Sequence, residues 1–407
     1  MATSLGRPFW TMWTSFSSSN LGDGLNLVAY PLLAVSVTDD ARLIALVSVF
    51  RFLPFLVIGL PAGVILDRFG RRRVVVAAQL ARSVALVVPP VALALGRPSI
   101  TALALSATVV GVGEVFTDGG LPAVLRELVR RDQLEVANAR LSAAETTTNM
   151  IVGPPLGAAL FTLDPALPFV ASALLYVGAA AGLVRLPPGS SVPGTADTRF
   201  NLEQVTSGLR YVWSHPLIRP LALAVAVFSF VSAAGSTVLV LLATESLGLS
   251  PLGFSLLLTV TAVASVAMSF AVSPLIRRFG HSSSMRFSIV TFIGSSLLYG
   301  LAPGIGPAIA ASMLGGVSAP AWNVVSASVR QRIVPDHIFG RMMTAYLFVA
   351  WSMQPAGAFA AGLVAESWGP EVVFVLAGVV VAGLFVGCRP LFHRIDRAMA
   401  AETVAGP

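Results

Sequence analysis

Two signals meet in Gly59-Leu-Pro-Ala-Gly-Val-Ile-Leu-Asp-Arg-Phe-Gly-Arg-Arg-Arg-Val-Val-Val76. Its left half, with Leu43–Leu66 behind it, is apolar enough to cross a bilayer. Its right half places one acid and four arginines in a turn, and a new apolar run begins at Val74. Short arginine-rich loops stay on the cytoplasmic side of a membrane, so this turn sets the orientation expected of the chain. Gly63 and Gly70 permit tight turning and close backbone approach.

Composition agrees. The chain has 407 residues, 56% of them hydrophobic and only 11% charged, with a net charge of +7. Soluble domains carry roughly 25% charge, so this is a membrane protein with room for about a dozen spans of some 20 residues. Every basic residue is arginine, and these sit in short loops between apolar runs, where topology rather than nucleic acid explains them. The single cysteine, Cys388, allows no internal disulfide. No His, Cys and carboxylate cluster has metal-ligand spacing, and no metal or cofactor is expected. The first apolar run leads directly into further spans, unlike a cleavable leader.

Spans are expected near 9–38, 43–66, 74–95, 99–121, 138–163, 166–186, 217–246, 252–276, 284–303, 305–329, 338–366 and 370–389. Arginines crowd the even-to-odd connections and the tail, which predicts that both termini are cytoplasmic. The expected organisation is a six-span bundle at 1–186, a cytoplasmic linker at 187–216, a second bundle at 217–390 and a tail at 391–407. The linker opens on a Pro/Gly/Ser-rich run. It continues with Asn201-x-x-Gln204, a capping-box pattern, and with Leu202, Val205, Leu209 and Val212 at helical spacing. This segment reads as a short amphipathic helix on the cytoplasmic face joining the two bundles, with a disordered linker as the alternative.

The two halves repeat. Asp67-Arg-Phe-Gly-Arg71 is echoed by Arg277-Arg-Phe-Gly-His281, Arg126…Asp132 by Arg330…Asp336, and Gly153-Pro154 by Gln354-Pro355. The fold expected is all-α, with twelve transmembrane helices in two pseudo-symmetric six-helix bundles and a substrate site near the midplane.

Ionisable residues inside spans are costly and are functional candidates by default. Asp23, Glu114, Arg82 and Arg51 all fall in spans of the first half, whereas the cores of spans seven to twelve read as free of charge. A carboxylate in low dielectric takes up a proton more readily, and a nearby arginine opposes this. Asp23 and Glu114 therefore read either as a proton relay or as partners of Arg51 and Arg82 that lock helices together. Arg51 could equally snorkel outward. Asp118 lies one turn from Glu114 on the same helix face. In Gly153-Pro154-Pro155-Leu-Gly157 the prolines remove backbone donors and kink the helix, while the glycines allow close packing.

Gly63-x-x-x-Asp67-Arg68-x-Gly70-Arg71-Arg72 resembles the signature loop of the major facilitator superfamily, with Ile65 where leucine is usual. Asn149…Gly153-Pro154-x-x-Gly157-Ala158 resembles that superfamily's antiporter motif, with Asn149 and Ala158 replacing glycines. Phe9-Trp-x-x-Trp13, Leu21-Gly-Asp23-Gly24, Asp132-Gln-Leu, Ala137-Asn138 and Arg330-Gln331 are similar to its macrolide-efflux and enterobactin-exporter branch. The resemblance implies the major facilitator fold and proton-driven export of amphiphilic compounds by a rocker-switch cycle. It implies an Arg71–Asp118 gate latch, with Asp67 facing the helix start near Gly340–Met342. It implies a kink at Gly153, Pro154 and Gly157, matched by Pro355. It also places cavity walls on spans one, four, seven and ten, where Asn26, Tyr30, Phe116, Phe228, Phe230, Trp322 and Asn323 are candidate contacts; each could instead pack helices or face lipid. Aromatic walls with few polar groups suit a bulky apolar ligand.

The reading is thus a proton-coupled exporter, monomeric, in the plasma membrane, with small-molecule substrate, protons and lipid as partners and no nucleic acid. Uptake by symport and a non-transporting scaffold or sensor are the competing readings. An intramembrane enzyme would need a clustered nucleophile and base, and none is present in the spans.

Overall fold

The computed structural model describes residues 5–187, 202–302, 304–392 and 394–396. It divides into two compact units, Met1–Phe200 with Leu249–Thr259, and Asn201–Gly248 with Val260–Pro407. The described residues are helical, joined by short turns.

The first unit carries α1 (Arg7–Val37), α2 (Ala41–Ile58), α3 (Ala62–Phe69), α4 (Arg71–Ala85), α5 (Val88–Ala94), α6 (Ile100–Leu128), α7 (Leu134–Glu145), α8 (Gly153–Leu163) and α9 (Leu167–Val184). Several spans are broken rods, and each break has a sequence cause. Gly59 and Pro61 separate α2 from α3, and Pro89 with Pro90 separates α4 from α5, because proline cannot donate to the helical ladder. Gly70 joins α3 to α4 at φ 86°, a left-handed backbone that glycine alone adopts without strain. Between α7 and α8 the chain runs as a π-helix over Thr146–Val152, and the Gly153 amide donates to the Thr148 carbonyl. Asp40 caps α2, accepting from the Arg42 and Leu43 amides at 2.9 and 3.4 Å. The Arg42 guanidinium on the same carboxylate holds the Asp40 pKa down at about 2.

The second unit carries α10 (Leu202–Ser214), α11 (Ile218–Leu241), most of α12 (Pro251–Phe279), α13 (His281–Leu301), α14 (Ile305–Ile333), α15 (Asp336–Ser352), α16 (Gln354–Trp368) and α17 (Pro370–Gly387). The amphipathic segment is a helix, as its pattern predicts, and it is more than a connector. It packs along α15: Gly208 lies against the Arg341 carbonyl, and Val212 is buried with Leu221, Met342, Ala345 and Tyr346.

Among the described residues, ten helices or helix runs are long and apolar enough to cross a membrane. The two remaining long rods are α1, which carries Asp23 and a run of serines, and the α7–α8 rod, interrupted by its π segment. Twelve rods in all match the twelve spans expected.

The units repeat each other in packing as well as in sequence. In the first, α1 packs on α8 and α9, and α4 on α6 and α9; in the second, α11 packs on α16 and α17, and α13 on α14 and α17. Gly157 lets α8 approach the Leu25 backbone, and Gly357 lets α16 approach the Phe230 backbone. Gly111 sits against the Arg51 carbonyl, and Gly316 against the Thr261 carbonyl. Four close crossings in equivalent places are strong support for duplication, because each needs a residue without a side chain at one spot.

The second unit does cover one charge at a helix end: Arg330, in the last turn of α14, is only 9% exposed. Its Nη1 donates to Ser326 Oγ at 2.6 Å, and its guanidinium lies 4.1 Å over the Tyr346 ring. The face of an aromatic ring attracts a cation, which lets this arginine be covered without an acid beside it.

Candidate ion-pair site in the first unit

The site begins at Gly22-Asp23-Gly24 in the middle of α1. A Cβ on Gly22 would lie 2.9 Å from the Tyr176 ring, and one on Gly24 would lie 2.8 Å from Gly153 Cα and 2.9 Å from the Thr148 carbonyl. Both neighbours of the acid must therefore be glycine for α9 and the π segment to close on it. The carbonyls exposed by the π segment face α1 at this spot, the kind of local ladder break that recurs at functional sites.

Asp23 is paired with Arg82 of α4, which is fully buried. Tyr176 of α9 completes the triad. Its hydroxyl donates to Asp23 Oδ1 at 2.7 Å and accepts from Arg82 Nη2 at 2.7 Å, and its ring lies 4.0 Å from the guanidinium carbon. Asn26 Nδ2 donates to the same hydroxyl at 3.1 Å. Arg82 Nη1 donates to Ser19 Oγ at 3.3 Å, and Gln79 Nε2 donates to that oxygen at 2.8 Å. Arg82 Nε and Asn26 Oδ1 are buried without partners. The arrangement neutralises a charge pair in the membrane, yet leaves donors and acceptors unsatisfied. A buried pair of this kind is costly to break by removing one member.

A second pair lies beside it. Arg51 Nη2 of α2 is 3.1 Å from Glu114 Oε2 of α6, with side chains 15% and 25% exposed. The motif Gly111-x-Gly113-Glu114 explains both pairs. Gly111 lets α2 approach at Arg51, and Gly113 leaves room for the Arg82 side chain, whose Cδ would be 2.5 Å from an added Cβ. Of the two readings open for Arg51, pairing is what the structure contains.

The signature-loop residues are arranged differently from the expected latch. Arg71 Nη2 pairs with Asp67 Oδ1 at 2.8 Å, one helical turn back across Gly70. Asp118 is exposed and makes no ion pair among the described residues. Arg68 stacks over Phe69 at 5.4 Å, and Gly63 has open space around it. Arg72, singled out only as part of the motif, donates to the carbonyls of Val184 and Pro187 and so caps the end of α9. Its signal was available, since arginine at a helix C-terminus complements the dipole, but its partner is more than a hundred residues away.

The kink residues are also placed by packing. Gly153 and Gly157 press α8 against α1 at Gly24 and Leu25, inside one unit. Pro154 opens α8 and Pro355 opens α16, each at a position where no backbone donor is needed.

The aromatic candidates mostly hold their own units together. Tyr30 is buried, its hydroxyl 2.8 Å from Ser106 and its ring edge-on to Phe169. Phe116 packs on the Leu66 and Leu121 cluster. Phe228 lies between Phe292 and Trp322, at 5.4 and 4.8 Å, and Phe230 is half-buried over Gly357. Trp322 is buried with its indole N–H unpartnered, and Asn323 is exposed. Tyr176 is the residue that sequence reasoning missed. A tyrosine in an apolar run gives no sign of which acid it will meet.

A family described as transmembrane secretion effector matches residues 5–404 of this chain. The multidrug efflux pump Tap of Mycolicibacterium fortuitum is 25% identical over 397 residues, covering 94% of this chain and 95% of the pump. Macrolide efflux protein A of Streptococcus pyogenes is 22% identical over 400 residues, covering 96% of each. Among solved structures, the nucleoside transporter NupG superposes with a TM-score of 0.76 at 12% identity, covering 96% of this chain and 99% of that one. A bacterial homologue of ferroportin in its inward-facing state superposes with a TM-score of 0.72 at 18% identity, covering 94% and 100%. These structural likenesses concern the fold alone.

Proposed function

Because this chain belongs to the transmembrane secretion effectors, a drug-efflux branch of the major facilitator transporters, we propose that it exports amphiphilic small molecules in exchange for protons. The relatives that support export are pumps matched along nearly their whole length. The observation that carries the proton step is the Asp23–Arg82–Tyr176 triad buried within the membrane-spanning first unit.

Protonation of Asp23 removes the charge that Arg82 answers. A buried arginine without its acid is unfavourable, so the triad opens or the helices carrying it shift. Loss of the proton on the other side restores the pair. A rocker-switch cycle in the plasma membrane, both termini cytoplasmic, uses this two-state pair as its trigger, with Arg51–Glu114 as the neighbouring charge that Asp23 senses. Asp67–Arg71 and the exposed Asp118 then read as alternative partners at the inner gate.

Purified protein in vesicles with an imposed pH gradient tests this. An amphiphilic dye is expected to accumulate only when the gradient is present, and Asp23→Asn is expected to abolish the dependence. Gradient-independent accumulation, or an unaffected variant, would remove the proton from the cycle.

A further inference from the structure

We propose that the broken rod α4–α5 holds one anionic glycerophospholipid, with an acyl chain in its groove and the phosphate on Arg97. The helix break between Ala85 and Val88 leaves a concave strip of about 460 Å³, lined by Val84, Val87, Val88, Val91, Leu95 and Arg97. Val84 and Leu95 are 71% and 70% exposed, so this face has no protein cover among the described residues. In a membrane-spanning rod, lipid covers it.

Two features make it a seat rather than ordinary lipid-facing surface. First, its only charged lining residue sits at one end of it, where a tight turn sets the backbone. The chain leaves α5 through a Schellman turn: Gly96 at φ 64° donates to the Leu93 carbonyl at 2.9 Å, and the Arg97 amide donates to the Ala92 carbonyl at 2.9 Å. That turn folds Arg97 back to the end of the groove, and its guanidinium makes no ion pair among the described residues. Second, the depth fits. Val84 to Leu95 spans about 16 Å at the helical rise of 1.5 Å per residue, and one leaflet contributes roughly 15 Å of hydrocarbon. An acyl chain lying in the groove therefore brings its own phosphate to the level of Arg97. A guanidinium offers a planar fork matched to phosphate oxygens, and a net negative headgroup suits it better than a zwitterion. The inference is independent of the proton step.

Native mass spectrometry of the delipidated full chain, titrated with phosphatidylglycerol or phosphatidylcholine of equal chain length, tests it. One phosphatidylglycerol is expected to be retained roughly five- to tenfold more tightly than phosphatidylcholine, the effect of a single arginine at an anionic surface. Arg97→Gln is expected to erase the preference and Arg97→Lys to keep part of it. Val88→Trp, which fills the groove, is expected to weaken both lipids. A preference that survives Arg97→Gln, or retention unchanged by Val88→Trp, would overturn the proposal. So would full competition by glycerol phosphate alone, which would make the site one for free phosphate.

Discussion

Asp23 owes its place to two glycines and its partner to a third. Gly22 and Gly24 clear space for Tyr176 and the π segment, and Gly113 clears space for the Arg82 stem. The pair they allow is the most enclosed ion pair among the described residues, with side chains 10% and 0% exposed. Asp23→Asn keeps the shape and removes the charge, leaving Arg82 unanswered. It is expected to cost about 3–5 kcal/mol of unfolding stability, the range for removing one partner of a buried pair. Asp23→Asn with Arg82→Gln is expected to regain most of that while transport stays lost. Thermal unfolding of the purified variants decides it: a single variant no less stable than the double would mean the pair contributes nothing. Asp23, Arg82, Glu114 and Arg51 were all legible as candidates, because charge in an apolar run is conspicuous. Which acid meets which arginine was not, because the four lie on four different helices.

At the scale of elements, close crossings and caps decide what tolerates change. Gly153→Ala would set a Cβ 2.5 Å from Gly24 Cα and 2.7 Å from the Thr148 carbonyl. Backbone on both sides cannot step aside, so about 1–3 kcal/mol is expected to be lost, the usual effect of overpacking. Gly63→Ala, the same chemical change in open space, is expected to leave the unfolding temperature within error of the parent. Equal effects at the two sites would refute the packing account. His215 makes a different kind of prediction. Its Nδ1 accepts from the Leu217 and Ile218 amides at 3.2 and 3.3 Å, so it caps the start of α11, and burial holds its pKa below the ordinary imidazole value. A depressed pKa means the fold prefers the neutral ring. Its stabilisation is complete above the unfolded value of about 6.5 and is lost as pH falls below that. The half-open site keeps the effect small. His215→Asn, an uncharged cap, is expected to flatten the stability–pH curve below about pH 6.5. A curve that stays as steep as the parent's would assign the loss elsewhere.

The whole molecule is a duplicated pair of bundles, each stitched by its own crossings. The boundary that matters lies before Leu202, because α10 packs on α15 and buries Val212 in the second unit. Co-expressed fragments split between Gly194 and Thr195 are therefore expected to regain dye export close to that of the intact chain. Fragments split between His215 and Pro216, which sever α10 from α11, are expected to lose most of it. Equal recovery from both splits would show that α10 belongs to neither bundle. The mirrored glycine crossings at Gly157 and Gly357 also argue that the two bundles inherited one packing plan.

Apolar runs of span length, arginines gathered in alternate loops, prolines at the rod breaks and repeated landmarks were enough to establish a twelve-helix duplicated membrane protein. They act locally or through the bilayer, so they can be read along a line. Pairings could not be read that way. Arg82 with Asp23 and Tyr176, Arg71 with Asp67 rather than Asp118, and Arg330 on Tyr346 depend on which helix faces meet. In a membrane, where hydrophobicity marks no inside face, those meetings are set by small residues and close packing, and only the tertiary structure contains them.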